Sequence, residues 1–122
     1  MKHRYLLPVA LLAAAVFATT SWAVTSKDTF DLKGEVYASG FKIEMTTRSG
    51  AKLKRIKAGT YRIKIEDKAT LHDFHLTGPG VNKATSVGST GEKFWTVTLK
   101  RGTYKYVCDP HAAMMRGSFN VV

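Results

Sequence analysis

The feature that most constrains this chain is a two-residue apolar rhythm, repeated in short runs that are each cut off by glycine. Tyr61, Ile63 and Ile65 alternate with Arg62, Lys64 and Glu66, and Trp95, Val97 and Leu99 alternate with Thr96, Thr98 and Lys100. A period of two sends successive side chains to opposite faces of an extended strand, and no stretch after residue 30 carries the 3.6-residue rhythm of a helix. Strand signals cover residues 30–37, 41–46, 52–57, 60–66, 94–100, 103–108 and 118–122. Turns are marked at Ser39-Gly40, Ser49-Gly50, Ala58-Gly59, Gly78-Pro79-Gly80 and Arg101-Gly102. The Gly, Ser and Thr rich stretch 78–91 is expected to be a long surface loop. Short, half-buried, turn-linked strands in this number predict an all-β fold, a Greek-key β-sandwich of about seven to eight strands.

The N-terminus precedes that domain. Lys2, His3 and Arg4 form a short basic region, residues 6–18 are apolar and uncharged, and Ser21-Trp22-Ala23 places small residues where a signal peptidase reads them. This three-part pattern predicts a secretory signal peptide over residues 1–23, with the folded domain over 24–122. The apolar run is short for a bilayer span, so no stable membrane insertion is expected after cleavage and a periplasmic or extracellular product is expected, the alternative being an uncleaved membrane anchor. Cleavage would leave 99 residues and lower the net charge from +10 to +8. A basic exported domain points to an acidic protein partner, and export argues against nucleic acid.

Only one cysteine is present, Cys108. An exported domain of this size commonly leans on disulfides, and this one can form none within itself. A lone thiol in an oxidising compartment needs an occupant: a metal, a partner thiol or deep burial. The surrounding residues point to metal. In Tyr104-Lys-Tyr-Val-Cys108-Asp-Pro-His111-Ala-Ala-Met114-Met115-Arg-Gly-Ser-Phe119, a thiol, an imidazole and two thioethers share one loop between two strands. Such soft and borderline donors suit copper in both oxidation states, fit calcium or magnesium badly, and include a thioether of little use to zinc. Alternation with Tyr104 and Tyr106 places Cys108 on the interior face, and Pro110 ends the strand so that His111 projects from the following loop. A second imidazole is available in Leu71-His72-Asp73-Phe74-His75-Leu76, from either His72 or His75. The thioether is either Met114 or Met115.

With these residues the whole mature chain resembles a cupredoxin of the plastocyanin/azurin superfamily, most specifically in its final third. The resemblance implies one copper ion held by an upstream His, a Cys, a second His and a Met, the last three from a single loop. By position these are His72, Cys108, His111 and Met115. His72 heads the pair that the family writes His-Asn, which leaves His75 as a neighbour and as the alternate. Met115 stands directly before Arg116-Gly117, where the family places its axial Met, with Met114 the alternate. The implied function is a mononuclear type 1 (blue) copper protein that shuttles single electrons between redox partners and is not an enzyme. The His111 edge, amid Ala112 and Ala113, is the expected electron port. Lys83 and Arg116 are expected to steer an acidic redox partner to a monomer.

A copper carrier or storage protein could use the same ligands without electron transfer. A copper oxidase or nitrite reductase would need a further copper cluster, and no His-rich motif remains to build one. A metal-free sandwich that dimerises through Cys108 is the remaining alternative. One departure from the family pattern carries its own expectation. The Asn that ties the two ligand loops together is Asp73 here, facing toward Asp109. Two carboxyls brought together are expected to divide one proton between them.

Overall fold

In the computed structural model, residues 29–122 are described, so the expected signal peptide over 1–23 lies outside the described residues. Among the described residues nine strands form two sheets: β1 (Leu32–Val36), β2 (Ile43–Thr47), β3 (Arg55–Ile56), β4 (Gly59–Asp67), β5 (His75–Gly78), β6 (Val81–Ala84), β7 (Gly91–Leu99), β8 (Gly102–Val107) and β9 (Arg116–Val121). One sheet runs β2-β1-β4-β7 and the other β3-β9-β8-β5-β6. The alternation seen in sequence is realised directly, since β4 and β7 pair antiparallel over nine residues, Ile63 opposite Trp95. Their apolar side chains face the buried ones of β8 and β9, chiefly Tyr104, Tyr106, Phe119 and Val121.

Two expectations change. The stretch 78–91 is not all loop. Gly78-Pro79-Gly80 turns a tight hairpin between β5 and β6, with Pro suited to the first central position and Gly80 at φ +71° supplying the left-handed second. This hairpin raises the strand number to nine. Stretch 52–57 shrinks to the two residues of β3, because Leu53 is buried and its amide is held by Met45 O at 2.8 Å, outside any regular ladder.

Two close approaches position the segments that matter below. Gly34 lies under the ring of Phe74, where an added Cβ would meet Phe74 Cζ at 2.6 Å. Phe74 also stacks parallel to Tyr106, with centroids 5.9 Å apart, so the segment carrying His72 is pinned through a fully buried ring. Gly117 likewise leaves room for the Tyr106 ring immediately after Arg116.

Candidate metal centre

Two chain segments build the site. The first, between β4 and β5, is held at both ends of its turn: His72 N donates to Ala69 O at 3.3 Å, and Phe74 N donates to Thr85 Oγ1 at 2.8 Å. Thr85 is itself buried and donates to Asp67 Oδ2 at 2.9 Å, while its amide returns to Phe74 O at 3.0 Å. The second segment is the loop from β8 to β9. Pro110 starts a single 3-10 turn over Asp109–His111. The loop closes on itself through Cys108 N to Met115 O at 2.9 Å and Met115 N to His111 O at 2.8 Å. Its ends are therefore set by the β8–β9 ladder and its middle by its own backbone bonds.

Together they bring His72, Cys108 and His111 into one cluster. His72 Nδ1 and His111 Nδ1 are 3.0 Å apart, and each is 3.6 Å from Cys108 Sγ. The point equidistant from those three corners lies about 2.0 Å from each, within the range of metal–imidazole bonds and slightly short of metal–thiolate bonds. Two imidazole lone pairs and one sulfur converging on a common point are what a soft or borderline ion requires. Burial pushes the Cys108 thiol up, although hydrogen bonds from the backbone at Asp73 and His111 work against it. Binding a metal there as thiolate would release the thiol proton.

The remaining sequence candidates separate clearly. Met115 is fully buried, whereas Met114 is 60% exposed. His75 does not enter the cluster. It begins β5, with Nδ1 2.9 Å from both carboxylate oxygens of Asp109 and Nε2 2.6 Å from Asn82 Oδ1. These contacts to Asn82 and Asp109 raise its pKa above the ordinary imidazole value.

Asp73 and Asp109 do meet, but through the backbone: Asp109 N donates to Asp73 Oδ1 at 2.6 Å. Asp73 is buried and its pKa is raised, chiefly by that burial and further by the Asp109 carboxyl, against the Asp109 amide, which lowers it. Asp109 is lowered, chiefly by its hydrogen bond with His75. The two carboxyls thus shift in opposite directions, and His75, named in sequence only as the alternate ligand, enters as the partner of Asp109.

Phe41 was also missed. Its ring stands edge-on to His111 with centroids 5.0 Å apart and lies 6.0 Å from His72, yet it remains 54% exposed. Nothing near Phe41 in sequence marks it, because it reaches the site from the turn between β1 and β2. Leu71 and Met114, also exposed, lie in the same two ligand-bearing segments.

The sequence profile of copper binding proteins of the plastocyanin/azurin family matches residues 15–122. The chain belongs to that family. Copper is accordingly its cofactor, and the His72, Cys108 and His111 donors fit it. Among solved structures, reduced rusticyanin is 21% identical with a TM-score of 0.56, covering 75% of this chain and 77% of that one. Rusticyanin from Thiobacillus ferrooxidans is 20% identical with a TM-score of 0.51 over 75% of each chain. A rusticyanin variant reaches 23% identity and a TM-score of 0.54, again over 75% of each. These likenesses establish the cupredoxin fold. No curated protein sequence matches the chain. Among the described residues, no helix is long and apolar enough to cross a membrane.

Proposed function

We propose that this cupredoxin is an exported type 1 copper protein that passes single electrons between redox partners, with His72, Cys108, His111 and Met115 as its ligands. The observation that carries the reading is the convergence of two imidazole nitrogens on a buried cysteine sulfur, inside a loop closed by Met115. Bound there, copper would supply a one-electron couple whose potential the weak Met ligand tunes. The chain's own part is rigidity. Backbone bonds across the ligand loop, the Thr85 and Asp67 tie behind Phe74 and the Asp73 link to Asp109 hold the donors in one arrangement for either oxidation state.

His111 is the electron port in this reading. It is half-buried, and its neighbours Ala112, Ala113 and Met114 are exposed, so few atoms stand between its ring and an approaching partner. Phe41, though 54% exposed, packs its ring against both imidazoles. Members of the family are electron carriers rather than enzymes, which supports this assignment. The Lys2 to Ala23 pattern supports export to the periplasm or cell exterior, and the surplus of basic residues supports an acidic redox partner. Copper-loaded protein should bind one ion per chain and show intense thiolate-to-copper absorption, together with rapid electron self-exchange. A Cys108→Ser variant that keeps the colour would overturn the site; a coloured protein with negligible self-exchange would overturn the carrier role.

A further inference from the structure

The two sheets differ sharply in charge. Every strand of the four-stranded sheet carries an acid: Glu35 on β1, Glu44 on β2, Glu66 and Asp67 on β4, and Glu92 on β7. Four lysines on or beside this sheet are paired with those acids. Lys33 pairs with Glu35 at 2.6 Å, Lys64 bridges Glu66 and Glu92 at 2.9 and 2.7 Å, Lys68 pairs with Glu35 and Glu66, and Lys42 pairs with Glu44. The five-stranded sheet has no Asp or Glu on any strand.

The ladder registers show what that second sheet presents. Arg55 lies beside Asn120, which lies beside Thr103; the next row is Asn82, Thr77, Lys105 and Ser118; the last is Ala84, His75, Val107 and Arg116. Arg55, Lys105 and Arg116 are all exposed, one to each row. Rows of one face are two residues apart, about 7 Å, so three cations are staggered over about 14 Å of otherwise hydroxyl and amide surface. Between Lys105, Arg116 and Ser118 the face dips into a hollow of about 360 Å³. Arg116 follows Met115 and pairs with Val107, which precedes Cys108, so the hollow adjoins the copper-ligand loop. Asp109, two residues beyond Val107, is already held by His75.

We propose that the outer face of β3-β9-β8-β5-β6 is the docking surface for an acidic protein, whose carboxylates engage Lys105 and Arg116 at the hollow and Arg55 beyond it. The proposal deepens the electron-carrier reading by giving the partner a place to bind beside the port. A spread of three cations matches a partner with several carboxylates better than one small anion, which could occupy only the hollow. No large apolar side chain projects from the face to anchor it in lipid, which argues against a membrane surface. Complementary charge of this kind speeds encounter and fixes orientation, and it weakens with salt.

The test uses copper(I)-loaded protein, which is diamagnetic, with poly-L-glutamate as the probe and amide shifts as the readout. The expected shifts cluster at residues 54–56, 103–107 and 116–118, and high salt removes them. Lys105→Glu with Arg116→Glu should weaken binding about tenfold or more, while Lys93→Glu on the other sheet should change it little. The copper absorption of each variant checks that the ligand loop is intact. Shifts spread evenly over all lysines, shifts centred on the His111 end, or unchanged affinity in the double variant would each overturn the proposal. Tighter binding to phosphatidylglycerol vesicles than to polyglutamate would overturn the choice of a protein partner. Binding is read without electron transfer, so failure here leaves the carrier role standing, and loss of self-exchange leaves this surface standing.

Discussion

Replacing Gly34 by Ala should destabilise the protein although alanine suits a strand better than glycine does. The position has no left-handed backbone to protect, so the substitution should gain about 0.5 to 1 kcal/mol from reduced freedom of the unfolded chain. Against this, the new Cβ would lie 2.6 Å from Phe74 Cζ and 2.8 Å from Ile65 Cδ1, and both side chains are fully buried. Overpacking of a tight core costs about 1 to 3 kcal/mol. Taking the middle of each range, the net loss is about 1 kcal/mol, which in a domain of this size lowers Tm by about 4 to 8 °C. Thermal unfolding of copper-loaded and metal-free protein measures it. Because Phe74 follows His72 and Asp73 and is bonded to Thr85, the copper absorption should shift as well. A second variant identifies the cause: Phe74→Leu, which removes ring atoms at the point of contact, should offset part of the Gly34→Ala loss in a double-mutant cycle. Additive losses, or an unchanged Tm in Gly34→Ala, would refute the idea that this glycine exists to admit Phe74.

Further outcomes follow from the same geometry. Met115→Gln should lower the reduction potential, since an oxygen donor favours Cu(II) over Cu(I), whereas Met114→Gln should alter partner kinetics and leave the potential nearly unchanged; protein-film voltammetry distinguishes them. His75 has a folded pKa raised by its Asn82 and Asp109 contacts, so its contribution is complete below the ordinary imidazole pKa and is lost as pH rises through the raised value; His75→Gln should flatten Tm against pH in that window. Asp73, raised mainly by burial, follows the same sign in the acid range, so Asp73→Asn should keep at neutral pH the stability that wild type loses as this carboxyl ionises; parallel wild-type and variant curves would contradict it.

The long strands were legible because each buries one face, and a single-face strand writes its period into its residues, as Ile63 and Ile65 do opposite Trp95. The β5–β6 hairpin was not, because it buries only Leu76 and Val81 and its polar residues serve an exposed edge. Cys108 and His111 stood out since thiol, imidazole and thioether share a few residues of one loop. Between His72 and His75 the residues alone were silent, and the choice needed the family pattern. The structure supplies a physical difference: His72 is buried against Cys108, while His75 is drawn away by Asp109 and Asn82. Phe41 and Asn82 were invisible because each reaches its partner only through the fold. Of the proposed docking face only Arg116 was legible, as a steering residue; Arg55 and Lys105 join it only when the strands assemble.

The central claim is that one copper sits between His72, Cys108 and His111, and titration of metal-free protein with copper, followed by absorption, tests it most directly. Wild type and His75→Ala should each saturate at one equivalent with the same intense thiolate band, and His72→Ala should lose that band. A His72→Ala variant with the wild-type spectrum, or a His75→Ala variant without it, would contradict the account.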